Sequence, residues 1–244
     1  MSNTNSISQD EIERFTAIAE DWWNPDGMFR PLHQLNPVRL NFIRDHLATH
    51  FGRRPLEDKP LAGLKIIDIG CGGGLLAEPL SRMGAEVTGI DASLETINVA
   101  KHHASEMGLS INYRQRAPES LANERGQYDA ALNMEVVEHV SDLHGFLSAS
   151  SSLVRPGGAM VISTINRSLK SLVIAKFGAE YIMHWLPKGT HNWRKFRRPS
   201  EITNSIRAHD FTIRELTGMS YSLIEDTWSL TNDLNVNYLL FATR

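Results

Sequence analysis

The chain has 244 residues, 41% hydrophobic and 22% charged, which supplies enough apolar material for a folded core and too much for a disordered tail. Its 25 basic and 28 acidic residues leave a formal charge of −3, which argues against a domain-wide electrostatic footprint for nucleic acid. Cys71 is the sole cysteine, so no disulfide framework or cysteine-based zinc site can form within one chain, and no run of about 18 apolar residues predicts a membrane span.

The polar first residues carry no apolar signal core, so the expected location is the cytoplasm. Over residues 10–23, Ile12, Phe15, Ile18, Ala19, Trp22 and Trp23 recur at a spacing of three to four, which predicts an amphipathic helix ending near Asn24-Pro25. Asn36-Pro37 reads as the N-cap and first residue of a second helix carrying Leu40, Phe42, Ile43 and Leu47 to about Gly52. The polar stretch Arg53 to Pro60 is the expected linker into the main unit.

From there apolar runs alternate with helical ones. Strands are predicted at Lys65 to Ile69, Glu86 to Ile90, Ile111 to Arg114, Tyr128 to Met134 and Ala159 to Thr164. Helices are predicted at Leu75 to Met83, Leu94 to Met107 and about Leu143 to Val154. This alternation implies an α/β fold whose mostly parallel sheet is covered on both faces. Phe211 to Met219 and Asn237 to Thr243 lack a long crossover and are expected to close the sheet in antiparallel fashion.

The strongest local signal is Asp68-Ile69-Gly70-Cys71-Gly72-Gly73-Gly74, between a predicted strand and a predicted helix. Glycines there let the backbone turn sharply and bring a ligand against the amides that open the helix. Asp91, at the end of the second strand, can accept two hydrogen bonds from a ribose diol. The looser dinucleotide pattern is also met by Gly72, Gly74 and Ala77, but a carboxylate at Asp68 would repel a pyrophosphate and suits the cationic methionine moiety of S-adenosylmethionine. The arrangement resembles class I S-adenosylmethionine-dependent methyltransferases over about residues 61–165. That resemblance implies a Rossmann-like, seven-stranded sheet with an antiparallel last strand, and an adenine wall at Met134 with Gln115, Arg116 and Ala117 nearby.

Glu135-Val136-Val137-Glu138-His139 follows the fourth strand, where ligands of open α/β sheets bind. On a helical turn Glu135, Glu138 and His139 would share one face, able to hold a hard divalent ion or to place His139 as a general base. The alternative is a pair, Glu138-His139, that only braces the next helix.

Nearly end to end the chain is similar to the ubiquinone-biosynthesis O-methyltransferases. The words that carry the resemblance are Trp22-Trp23, Pro31-Leu32-His33, Asn36 to Leu40, Glu135 to Val140, Ser163 to Arg167, Gly178 to Ile182, Lys188 to His191 and Val236-Asn237-Tyr238. The resemblance implies S-adenosylmethionine bound by Arg39, Gly70, Asp91 and Met134, with Asp68 and Gly72 of the loop. It implies a magnesium site at Glu135, Glu138 and His139, the same side chains that would activate the acceptor hydroxyl. The implied acceptors are polyprenylated phenols and quinols, namely 2-polyprenyl-6-hydroxyphenol and 3-demethylubiquinol, and other ubiquinone-biosynthesis proteins are implied partners. The whole of 1–244 is expected to be one domain: a helical lid (10–52), a cofactor-binding core (61–165), a basic-aromatic insertion (167–198) and a closing part of the sheet (199–244).

That insertion carries Arg167, Lys170, Lys176, Lys188, Arg194, Lys195, Arg197 and Arg198 against Glu180 alone. Leu169, Val173, Phe177 and Tyr181 form a ladder, with Trp185 and Trp193 nearby. Such a stretch is suited to an anionic membrane surface, so the protein is expected to be peripherally membrane-associated, with no nucleic-acid partner.

Overall fold

The computed structural model describes residues 12, 13, 16, 19–173, 193–222 and 224–244. One eight-stranded sheet organises it, in the order β3-β2-β1-β4-β5-β8-β6-β7. Strands β1 (Lys65–Ile69), β2 (Glu86–Asp91), β3 (Asn112–Gln115), β4 (Tyr128–Met134) and β5 (Val154–Ile165) pair in parallel. Strand β8 (Asn237–Thr243) runs antiparallel between β5 and β6 (Thr212–Ser222), and β7 (Thr227–Thr231) completes an antiparallel edge hairpin with β6. The sequence predicts seven strands. The eighth, β7, is a short edge strand in Thr227-Trp228-Ser229-Leu230-Thr231 whose residues are all at least partly exposed, so no buried apolar run marks it.

Side-chain alternation along the strands builds a core on each face. Ala159 and Val161 of β5 face Leu35, Phe42, Ile43 and Leu47 of α1 (Arg30–His50), while Met160 and Ile162 belong to the opposite cluster. That cluster includes Phe146 and Leu147 of α4 (Leu143–Leu153), with α5 (Leu169–Val173) intervening in the chain before Ile202 and Ile206 of α6 (Pro199–Arg207). The short α2 (Ala77–Arg82) and α3 (Leu94–Glu106) cover the first face beyond α1. Ser93 caps α3 by accepting from the Thr96 amide, and Asp142 caps α4 by accepting from the Gly145 amide.

One helical expectation needs correction. Helix α1 begins at Arg30, not at Pro37, which lies inside it. Asn36 does not cap: its side-chain amide is buried and donates to the Leu75 carbonyl at 3.2 Å, fastening the helix to the segment after the glycine loop. The expected helix over 10–23 lies partly outside the described residues. Its described residues Ile12, Glu13 and Thr16 are helical and a 3-10 turn, Ala19–Asp21, follows, while Thr16 meets Ser93 through their hydroxyls at 2.9 Å.

Candidate active site

The glycine loop leaves β1 at its carboxyl end, tied to β2 because the Gly70 and Cys71 amides both donate to the Ile90 carbonyl, at 2.8 and 3.0 Å. Gly70 has φ +74°, and a Cβ there would stand 2.7 Å from the Val136 side chain, so this residue must be glycine on two counts. On the loop's other side lies Trp22: a Cβ at Gly72 would meet its ring at 2.4 Å. Trp22 stacks on Phe29 with centroids 3.8 Å apart, and the Trp23 indole donates to the Gly73 carbonyl at 3.0 Å while stacking on His103. His103 in turn meets Glu78 at 2.6 Å. The N-terminal segment is thus clasped over the loop.

Asp91 accepts from the Gly72 amide (3.1 Å) and the Ser93 amide (2.9 Å). Burial raises its carboxyl above the ordinary range, and these amides draw it back. Beside it Gln115 donates to the Ala92 carbonyl and the Arg116 amide to the Asp91 carbonyl, closing the ends of β2 and β3. Asp68 is buried, and desolvation, then the Asp91 charge, push its carboxyl up to about 7 against the counter-pull of Arg39. Its Oδ2 has no hydrogen-bond partner, and neither has Arg39 Nε, although both are buried. Burial also raises the Cys71 thiol, which keeps it protonated and inert.

At the end of β4, Met134 is buried and pairs with Ser163. The next residues make a bend and then a turn, not the helical turn that the spacing suggested. Glu135 takes a left-handed backbone, φ +53°, and its amide donates to the Ser163 carbonyl at 2.9 Å. Its carboxylate pairs with Arg39 Nη2 at 2.6 Å and accepts from the Ser163 hydroxyl. Glu138 accepts instead from Thr164 at 2.7 Å. Ser163 and Thr164 are successive strand residues and address opposite faces of the sheet, so the two carboxylates are drawn apart.

Among the described residues no three His, Cys, Asp or Glu side chains stand together as metal ligands. The expected convergence of Glu135, Glu138 and His139 on one point is therefore not the arrangement found. They still feel one another: burial first, then the Glu135 charge, pushes Glu138 up to about 7, and His139 pulls it down. Arg197 holds the turn from behind by donating to the Val137 and Val140 carbonyls, at 3.0 and 2.6 Å.

Ser163, Thr164 and Arg197 have no role in the sequence-based reading of the site. Two adjacent hydroxyls closing a strand, opposite an acidic turn, are the signal that could have shown the first two.

Sheet order, acid-glycine loop and an acid closing β2 define an S-adenosylmethionine-dependent methyltransferase of class I. A methyltransferase domain family matches residues 39–216. A solved magnesium protoporphyrin IX methyltransferase from Synechocystis with bound SAH has the same fold: TM-score 0.68 at 21% identity, covering 96% of this chain and 98% of that one. Ubiquinone biosynthesis O-methyltransferases of Chelativorans and Paramagnetospirillum magneticum are 49% and 48% identical, over 98% and 100% of this chain and 94% and 98% of their own lengths. The chain belongs to the ubiquinone biosynthesis O-methyltransferases.

Proposed function

We propose that the chain methylates phenolic hydroxyls of polyprenylated intermediates of ubiquinone biosynthesis, the 2-polyprenyl-6-hydroxyphenol and the 3-demethylubiquinol that the family resemblance implies. One observation carries the donor half of this reading. Two buried polar atoms of opposite character are left without hydrogen-bond partners: Asp68 Oδ2, an acceptor, beside the glycine loop, and Arg39 Nε, a donor whose charge acts on Asp68. Buried polar groups are nearly always paired, and the α-amino acid end of S-adenosylmethionine brings an ammonium for the one and a carboxylate for the other.

When bound, that donor supplies an electrophilic methyl group on a sulfonium. Gly70 and Gly72 let the backbone approach it, Asp91 offers its carboxylate to the ribose hydroxyls, and Met134 forms the wall for adenine. Phenols with a pKa of about 10 are poor nucleophiles at neutral pH, so the acceptor proton must be taken up as oxygen attacks. His139 is the base in this reading, with Glu135 orienting the hydroxyl and Glu138, bound to Thr164, bracing the turn that carries His139. In donor chemistry the two carboxylates suit magnesium, a hard cation that takes oxygen ligands, whereas the imidazole does not. They would hold it only after Glu135 has left Arg39 and Ser163, and the ion would then polarise the acceptor oxygen.

Labelled methyl transfer to a short-tailed 6-hydroxyphenol and to a reduced demethylubiquinone, with magnesium and with excess chelator, tests the acceptor class. Transfer to neither, with S-adenosylhomocysteine bound normally, overturns it.

A peripheral membrane habit is part of the same proposal, since a long isoprenoid tail resides in a bilayer. Residues 174–192, with Phe177, Tyr181 and Trp185, lie outside those described. At the base of this stretch Leu169 is 78% exposed, while Trp193 is pinned to the Ser168 carbonyl at 2.9 Å. Three cations counted toward the membrane are turned elsewhere: Arg167 to Glu201, Lys170 to Asp233 and Arg197 to backbone carbonyls. Among the described residues no helix is long and apolar enough to cross a membrane. Flotation with anionic vesicles at low salt is the expected result, and its failure removes the membrane contact.

A further inference from the structure

Arg39 stands between the two halves of the cleft. It is 2% exposed, its charge acts on Asp68 below the glycine loop, and its Nη2 lies 2.6 Å from Glu135 Oε1 in the acidic turn. Glu135 is held for that contact by its left-handed backbone and by both the carbonyl and the hydroxyl of Ser163. A guanidinium so deeply buried needs an anion, and removing the partner of a buried ion pair is strongly unfavourable. In this structure that anion is Glu135.

We propose that Arg39 is a positioning residue that couples the two substrates: the carboxylate of the methyl donor draws its guanidinium away from Glu135, and the freed Glu135 turns to the acceptor. The acceptor site is then completed only once the donor is in place. This rests on the assignment of Arg39 to the donor carboxylate. Because coupling is reciprocal, whatever factor the donor gains for the acceptor is returned by the acceptor to the donor.

The consequence is counterintuitive, since damaging the acceptor side should help the donor side. Calorimetric titration with S-adenosylhomocysteine is expected to show binding at least about fivefold tighter for Glu135→Gln than for the wild type, because Arg39 no longer has to leave a partner. Glu135→Asp, which keeps the charge but draws it back by one methylene, is expected to fall between them and serves if Glu135→Gln does not fold. Glu57→Gln, on the exposed surface, leaves the affinity unchanged. In the wild type, saturating S-adenosylhomocysteine tightens a short-tailed catechol by at least about fivefold.

Unchanged or weaker S-adenosylhomocysteine binding in Glu135→Gln, while Arg39→Gln binds it poorly, overturns the coupling and leaves the donor assignment standing. Wild-type affinity in Arg39→Gln removes the assignment itself, and the coupling with it.

Discussion

The two halves of the cleft are made of different materials. The donor half is mostly backbone: three left-handed glycines, amides of Gly70 and Cys71 on the Ile90 carbonyl, and amides of Gly72 and Ser93 on Asp91. In the acceptor half side chains are held by other side chains, with Glu135 on Arg39 and Ser163 and Glu138 on Thr164. A backbone site tolerates almost no change of shape, because any Cβ in the wrong place is a collision. A side-chain site keeps its shape under substitution and loses chemistry instead.

The largest effect should come from chemistry. His139→Ala is expected to lower kcat by about 10²–10⁴-fold, the usual range for a general base, with S-adenosylhomocysteine affinity within about twofold of wild type. Parallel steady-state kinetics and calorimetry check this, and a loss confined to donor binding would move His139 to the other half. Next comes Gly70→Ala, where the left-handed backbone alone costs about 1–2 kcal/mol of folding stability, read as a lowered Tm in thermal unfolding, before the contact with Val136 is counted. Adding Val136→Ala relieves the collision and not the backbone, so the double variant should recover only part of the loss.

The smallest effect is one of pH. Asp68 is raised from 3.8 to about 7 in the folded chain, so between these values the folded state holds a proton that the unfolded state has lost. Its contribution to the stability of the ligand-free chain is therefore least unfavourable below about pH 4 and worsens as pH rises to 7. Asp68→Asn should raise the ligand-free Tm by at least about 2 °C more at pH 8 than at pH 4, measured by thermal scanning. The same variant should flatten any rise in donor affinity through neutral pH, since in the proposed function it is the ionised carboxylate that meets the donor's ammonium. An equal Tm shift at both pH values would place the ionisation of Asp68 outside the energetics of the cleft.

This contrast of materials also explains what the sequence made legible. The strands Lys65–Ile69, Tyr128–Met134 and Asn237–Thr243 coincide with the predicted ones because each is buried along nearly its whole length and bounded by turns. The glycine loop was readable because backbone needs are written as a local string. Residues 135–139 were not: a spacing of three and four carries no record of the left-handed turn at Glu135. The hydroxyls that separate the two carboxylates come from Ser163 and Thr164, more than twenty residues away in the chain. Asn36-Pro37 has the look of a helix start, yet Asn36 serves the Leu75 carbonyl, a partner supplied only by the fold.

The clasp over the loop has a core of its own. Ala19, Trp22, Phe29 and Leu75 form a small buried cluster, separate from the two large ones that flank the sheet. Burial of a large apolar side chain is worth about 1.5–3 kcal/mol, so undocking Trp22 and Phe29 costs only part of what global unfolding does. Undocking that small cluster therefore need not disturb the two large ones, so the seal over the glycine loop stands on a footing separate from the sheet.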